Sequence, residues 1–111
     1  MTTIFAKIIK GELPSEKVYE DEEILAIKDI YPVAPVHILI MPKKEIPSLQ
    51  QMQPEDYYLL EKIVRVAQKL AEEYDLIEGY RLLTNSGPES GQIIFHLHFH
   101  LIGGRRLDRL A

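Results

Sequence analysis

Three of the chain's four histidines fall within five residues, at His96, His98 and His100. They alternate with apolar side chains in Phe95-His96-Leu97-His98-Phe99-His100-Leu101. A strand has a two-residue side-chain period, so the three imidazoles are expected on one face. Phe95, Leu97, Phe99 and Leu101 then point to the other face, toward a core. Alternate Cα atoms stand about 6.5–7 Å apart along such a strand. Free imidazole titrates near pH ~6.5, so these groups can take and give protons at neutral pH. A single histidine here would be an ordinary polar residue. Three at strict alternation are hard to justify as packing or as a solvated face.

Two chemistries use a row of imidazoles. Neutral imidazole ligates zinc, copper and nickel, although a flat strand supplies two ligands readily and a third only with curvature. Alternatively, one imidazole attacks an electrophile such as phosphorus while its neighbours manage protons. A phosphohistidine intermediate would split one hard displacement into two easier ones. The preceding segment, Asn85-Ser86-Gly87-Pro88-Glu89-Ser90-Gly91-Gln92, is turn-rich and offers backbone N–H groups and small polar side chains. Such donors suit an oxyanion or a phosphate, and glycine lets a backbone come close to one.

Several classes are excluded by composition. The chain has 111 residues, 13 basic and 17 acidic side chains, a formal charge of −4, and no cysteine or tryptophan. That length suits one domain, read here over residues 1–111. Without cysteine there is no disulfide scaffold, thiolate zinc site or thiol catalysis. The acidic balance argues against duplex nucleic acid as main partner. Met1–Phe5 lacks the basic and apolar regions of a signal peptide, and no window approaches the ~20 apolar residues of a membrane span. A cytoplasmic protein is the expectation.

The elements that must position the histidines follow from periodicity and breakers. Thr2 or Thr3 can cap a short helix over Ile4–Lys10, with Ile4, Phe5, Ile8 and Ile9 as its apolar stripe. Two short strands are expected at Lys17–Asp21 and Ile24–Lys28, joined by Glu20-Asp21-Glu22-Glu23, an acidic run that reads as a solvated turn. A loop with two prolines, Asp29–Pro35, leads into a central strand, Val36–Met41, closed by Pro42. Pro54 suits the first position of a long helix reaching about Asp75. Its stripe is Leu60, Ile63, Val64, Ala67, Leu70, Ala71 and Tyr74. Strands at Tyr80–Thr84 and Ile93–Ile102 complete the order. This is an α+β fold: one five-stranded, mostly antiparallel sheet with a long helix on one face and a short helix besides.

With these elements in place, the sequence resembles the histidine triad (HIT) superfamily, and within it the Hint branch of nucleotide-binding phosphoramidases. The signature, histidines alternating with hydrophobic residues, stands here as His96-Leu97-His98-Phe99-His100-Leu101-Ile102, followed by Gly103-Gly104. The likeness also covers Phe5–Ser15, Asp29–His37, Ile40–Lys44, Asn85 and Gly91-Gln92. It implies that His98 is the nucleophile that becomes nucleotidylated. It implies that His96 and His100 orient it and contact phosphate and leaving group, and that His37 joins them in proton transfer. Asp29 would hold the ribose hydroxyls. Ile30 and Phe5 would wall the base pocket, and Asn85, Gly91 and Gln92 would contact the nucleotide. Ile93 stands where the branch often has a polar residue, so only its backbone could serve. The C-terminal tail lacks the aromatic residue that animal members of the branch reach across the dimer.

The resemblance further implies a homodimer whose two sheets join into ten strands, no required metal or other cofactor, and a purine nucleotide of AMP or GMP type as substrate. The implied reaction is hydrolysis of a P–N bond in nucleoside 5′-phosphoramidates, or of acyl-adenylates. The alternatives are dinucleoside polyphosphate hydrolysis within the same superfamily and a non-catalytic metal-binding or scaffold protein. A uridylyltransferase-like reading would need a His-Pro-His core, which Leu97 and Phe99 contradict.

Overall fold

The computed structural model describes residues 2–110. Met1 and Ala111, the ends of the domain expected over residues 1–111, lie outside the described residues. The elements in order are helix α1 (Ile4–Ile9), strands β1 (Lys17–Glu20), β2 (Ile24–Lys28) and β3 (Val36–Pro42), helix α2 (Tyr58–Glu73), and strands β4 (Tyr80–Leu83) and β5 (Phe99–Gly103). The strands form one antiparallel sheet in the order β1-β2-β3-β5-β4. No helix among the described residues is long and apolar enough to cross a membrane.

Strand alternation divides the interior into two layers. Ile24 and Ala26 of β2, Ile38 and Ile40 of β3 and Leu101 of β5 pack with Ile63, Val66, Ala67 and Leu70 of α2. Leu25, Ile27, Leu39 and Met41 face the other way and pack with Phe5 and Ile8 of α1. The central strands are therefore apolar on both faces, as expected of strands covered on both sides. His37 shares the parity of Leu39 and Met41. His100 is the cross-strand partner of Leu39. Both histidines consequently belong to the α1 face.

The α2 stripe keeps Ile63, Ala67, Leu70 and Ala71 of the expected one but differs at its edges. Leu59 and Val66 are buried with Ile63, Ala67, Leu70 and Ala71, whereas Val64 is exposed. Pro54 opens a separate turn of 3-10 helix, Pro54–Asp56, instead of α2 itself. Asp56 caps that turn by accepting the Gln53 N–H, and it pairs with Lys44. The acidic run after β1 is more than a solvated turn. Asp21 accepts the N–H groups of Glu23 and Ile24 and the Tyr19 hydroxyl, while Glu23 reaches Lys62 and Tyr58 on α2.

The last strand departs most from expectation. β5 begins at Phe99, and residues 93–98 run outside the ladder. Continuing the register Ile40↔Phe99 would set Leu97 against Pro42, which has no N–H to give. Other bonds replace the ladder: Leu97 N–H donates to the Ile46 carbonyl, and Thr84 Oγ1 donates to the His98 carbonyl at 2.7 Å. Leu97 and Leu101 are buried and Phe99 is half-buried against the α2 core, as their alternation implies. Phe95 is not; it is 44% exposed, because no element covers the segment that far upstream. Leu97→Ala is therefore expected to cost about 2–5 kcal/mol, and Phe95→Ala under about 1 kcal/mol, in chemical denaturation. Equal losses would mean that the buried alternation extends through residue 95.

Candidate functional site

On the α1 face, the four histidines form a continuous row. The edge of Phe5 meets the His98 ring at 4.8 Å between centroids and the His96 ring at 6.4 Å. His98 and His100 lie 5.2 Å apart, and His100 and His37 5.1 Å. The histidines thus stay in one row even where the ladder has ended, although the backbone bends at Ile94 and His96.

The hydrogen bonds assign the tautomer of each ring. His98 Nδ1 lies 2.7 Å from the His96 carbonyl, which can only accept, so Nδ1 carries the proton and Nε2 presents its lone pair. His96 Nε2 lies 2.7 Å from the Pro42 carbonyl and is likewise the protonated nitrogen. Val33 N–H donates to His37 Nδ1 at 3.2 Å, which leaves the proton on His37 Nε2. That N–H faces His100 Nδ1 at 2.9 Å and Asp29 Oδ2 at 3.4 Å. His100 accepts at Nδ1, so its own proton sits on Nε2. The row therefore sets a bare nitrogen, on His98, beside an N–H donor, on His100.

Burial keeps the row neutral. Loss of water is the largest influence on all four rings and lowers their proton affinity. His100 is pushed down to about 4, first by burial and then by His98 and His37. The Asp29 carboxylate opposes the shift at His37, and the Pro42 carbonyl opposes it at His96.

A cavity of about 660 Å³ opens over this row. His37, His98, His100, Asp29, Ile30, Asn85, Gly91, Gln92, Ile93 and Phe5 all line it. His96 does not. Its ring is 1% exposed and bound to Pro42, so a phosphate contact from that ring would require leaving this bond. What His96 gives the site is its carbonyl.

The nucleotide-binding candidates also differ in what they have free. Asp29 Oδ1 accepts the Tyr31 N–H, shaping the loop, while Oδ2 faces His37. The Asn85 carboxamide makes no hydrogen bond among the described residues. The Gln92 side chain is buried and occupied: Oε1 accepts the Gly87 N–H, and Nε2 donates to the carbonyls of Pro47 and Ile94. It braces the loop and has little left for a ligand. Gly91 is needed for its φ of +99°, a left-handed conformation; an added Cβ would meet nothing within 4 Å. Ile93 is 84% exposed at the rim.

Sequence reasoning missed several contributors. Ile8, Ile27 and Leu39 are buried side chains that form the apolar floor, and Tyr31 and Val33 join the rim. Ile8 shares the helical stripe of Phe5 and Leu39 the strand parity of His37, but neither pattern points to a ligand cavity, and the loop residues Tyr31 and Val33 have no periodicity to read. Val33 acts through its N–H, which has no signature at all.

Asp29, His37 and His100 place one ligand atom each within 4.8 Å of one another, close enough for a cation. The donor set fits poorly. A metal on His37 Nε2 would displace that proton to Nδ1, directly against the Val33 N–H. Ligating histidines usually donate from the second nitrogen to an acceptor, and here that nitrogen accepts.

The profile of the HIT domain matches residues 10–107. An uncharacterized HIT-like protein of Chlamydia trachomatis serovar D is 48% identical over 111 residues, 100% of both chains. A HIT family hydrolase from Legionella pneumophila superposes with a TM-score of 0.94 at 44% identity, over 96% of this chain and 96% of that one. A histidine triad nucleotide-binding protein from Candida albicans superposes with a TM-score of 0.82 at 36% identity, over 99% of this chain and 84% of the other.

The depressed proton affinities set a direction for acid unfolding. Below pH ~6.5 the unfolded chain protonates its histidines, whereas the folded chain resists doing so. Stability is thus full above that pH and falls as pH drops toward about 4, the value for His100. Urea midpoints measured from pH 7 to 4.5 should decline, and the His100 ring should still be neutral by NMR at pH 5.5. A flat midpoint, or a His100 titration near 6.5, would contradict the burial argument.

Proposed function

The chain belongs to the HIT domain family, and from that premise we propose that it is a nucleotide-binding hydrolase, a nucleoside phosphoramidase of the Hint type. The observation that carries the reading is the pairing of a bare His98 Nε2 with a His100 N–H at the floor of one cavity. His98 Nε2 attacks the phosphorus of a purine nucleoside 5′-phosphoramidate. A His98–phosphorus bond forms as the P–N bond breaks, and the departing amine takes the electron pair and the His100 Nε2 proton. Water then attacks the nucleotidyl-histidine and returns a proton to His100, releasing the nucleoside monophosphate and freeing His98. Asp29 binds the ribose hydroxyls, and the floor around Phe5, Ile30 and Leu39 takes the base. Acyl-adenylates fit the same steps with a carboxylate leaving group.

Neutral rings suit both roles. A protonated His98 has no lone pair, and its depressed proton affinity keeps that lone pair available at pH 7. The charge around the cavity favours a single phosphoryl group over a polyphosphate chain. Among the described residues, Lys28 is the one cationic side chain lining it, and its Nζ pairs with Glu16 at 2.9 Å. No arginine of the described residues lines the cavity. A chain of three or four phosphates would find little to neutralise it.

The same reading takes the protein to be a cytoplasmic homodimer that works without a metal or other cofactor. A ten-stranded sheet would need a free sheet edge, and β1 and β4 are the two available.

His98→Ala should lower turnover of a fluorogenic adenosine phosphoramidate by at least about a thousandfold, the scale of losing a nucleophile. Full turnover in that variant would remove the mechanism. Rapid quenching of the wild type should trap a nucleoside monophosphate on His98, visible by peptide mass. Chelator should leave the rate unchanged, and diadenosine polyphosphates should turn over far more slowly than phosphoramidates. A zinc requirement, or a preference for the polyphosphate, would favour the alternative readings.

A further inference from the structure

The tautomer of His37 rests in part on one exposed residue, Val33, and Val33 is held from an unexpected place. The loop from Asp29 to Pro35 carries two prolines and so lacks two N–H groups. Val33 is 61% exposed, so packing does not fix it. Its N–H donates to His37 Nδ1, and its carbonyl accepts from Arg105 Nη2 at 3.2 Å, across 72 positions of sequence. Arg105 follows Gly103-Gly104 at the end of β5. Its Nη1 donates to the Arg106 carbonyl at 2.8 Å, which orients the guanidinium along the tail. Arg81 of β4 binds the Asp108 carbonyl and tethers the tail at its far end.

The backbone is built to bring the tail this close. Gly104 has a φ of +96°, and an added Cβ would lie 3.0 Å from Pro35 Cβ and 3.3 Å from the Val36 nitrogen. Such contacts are tighter than most side chains make, and the positive φ strains any residue but glycine, so Gly104 lets the tail seat against the end of the loop.

We propose that Arg105 is a positioning residue for the proposed reaction. By holding the Val33 carbonyl it keeps the Val33 N–H on His37 Nδ1, and so fixes which nitrogen of His37 carries the proton. That choice passes on to His100. With the proton on His37 Nε2, His100 must accept at Nδ1 and carry its own proton on Nε2, ready for the leaving group. If Val33 drifts, His37 can place its proton on Nδ1 and becomes an acceptor toward His100. The His100 proton then shifts to Nδ1, and the leaving group loses its donor. Asp29 also faces His37 Nε2, at 3.4 Å, and favours the same tautomer. Arg105 therefore raises the share of the working tautomer and is not its sole cause.

The kinetic part of this inference rests on the phosphoramidase reading; the tautomer part does not. Long-range proton–nitrogen correlation spectra of histidine-labelled protein report each tautomer directly. Wild-type His37 should show a protonated Nε2 and a bare Nδ1. In Arg105→Ala the two nitrogens should move toward a common averaged position. With a phosphoramidate, kcat should fall about tenfold at nearly constant KM, the scale of one lost hydrogen bond. Arg105→Lys, which can still donate to the carbonyl, should recover most of the loss. Gly104→Ala should change the His37 spectrum in the same direction. On a His37→Gln protein, Arg105→Ala should cost nothing further. An unchanged His37 spectrum in Arg105→Ala overturns the proposal, and so does an undiminished effect of Arg105→Ala on His37→Gln. If the wild type does not hydrolyse phosphoramidates, the proposed function fails while the spectra still decide the role of Arg105.

Discussion

The hydrogen bond from the His98 ring to the His96 carbonyl decides what the site can be, and it exists because the sheet stops short. In an intact ladder a strand's carbonyls are committed to its neighbours. Pro42 has no N–H and ends the pairing of β3 with the last segment just upstream of Phe99. The freed backbone is then satisfied by side chains. The Pro42 carbonyl takes the His96 ring, the His96 carbonyl takes the His98 ring, and the His98 carbonyl takes Thr84. Each bond ties down a ring or a peptide that would otherwise be buried with unpaired groups, at a cost of about 1–3 kcal/mol apiece. The net result is a His98 imidazole held by one nitrogen and open at the other.

The sheet supplies the rest through parity. α2 takes one face with Ile38, Ile40 and Leu101, which leaves the opposite face for α1, His37 and His100. This division was legible in the sequence, because a two-residue period needs only an extended backbone. Beyond the ladder the backbone bends at His96, and the three imidazoles still share a side, with Phe5 against both His96 and His98, although β5 covers only His100 among them. The same reasoning failed for Phe95, since parity says which way a side chain points but not whether anything stands there to cover it. The α2 stripe shows a related limit. Val64 fitted the helical spacing, yet the face that buries Leu59 and Val66 turns it to solvent.

What the sequence could not convey is long-range contact between a side chain and the backbone. The motif places His96 with the other histidines of the row, but its ring is spent on a carbonyl 54 positions away. Gln92 sits where a phosphate contact is expected, and its amide is spent on Gly87, Pro47 and Ile94. Neither assignment could come from residue type, since histidine and glutamine are as able to brace a loop as to bind a ligand. Val33 and Arg105 lie further still from recognition. One acts through an N–H that almost every residue has, and the other is one of three arginines in the C-terminal tail, with nothing in its type to single it out.

Neutrality is the property that joins these parts into a chemical device. A phosphate site is more commonly built with arginine or lysine, and this chain, at −4 overall, places one already paired lysine beside its cavity. Fixed cations would hold a phosphorylated product as firmly as they hold the substrate. Neutral imidazoles differ. In the proposed reaction His98 would contribute a lone pair that becomes a bond to phosphorus, and His100 a proton that moves only as the leaving group departs. Both interactions would strengthen between ground state and transition state, which is the requirement for raising kcat instead of only tightening binding. Protonation would abolish the first, and the wrong tautomer the second. The burial that keeps the rings uncharged and the hydrogen bonds that assign their protons are therefore separate requirements. In this fold the α1 layer meets one, and the backbone carbonyls and the Val33 N–H meet the other.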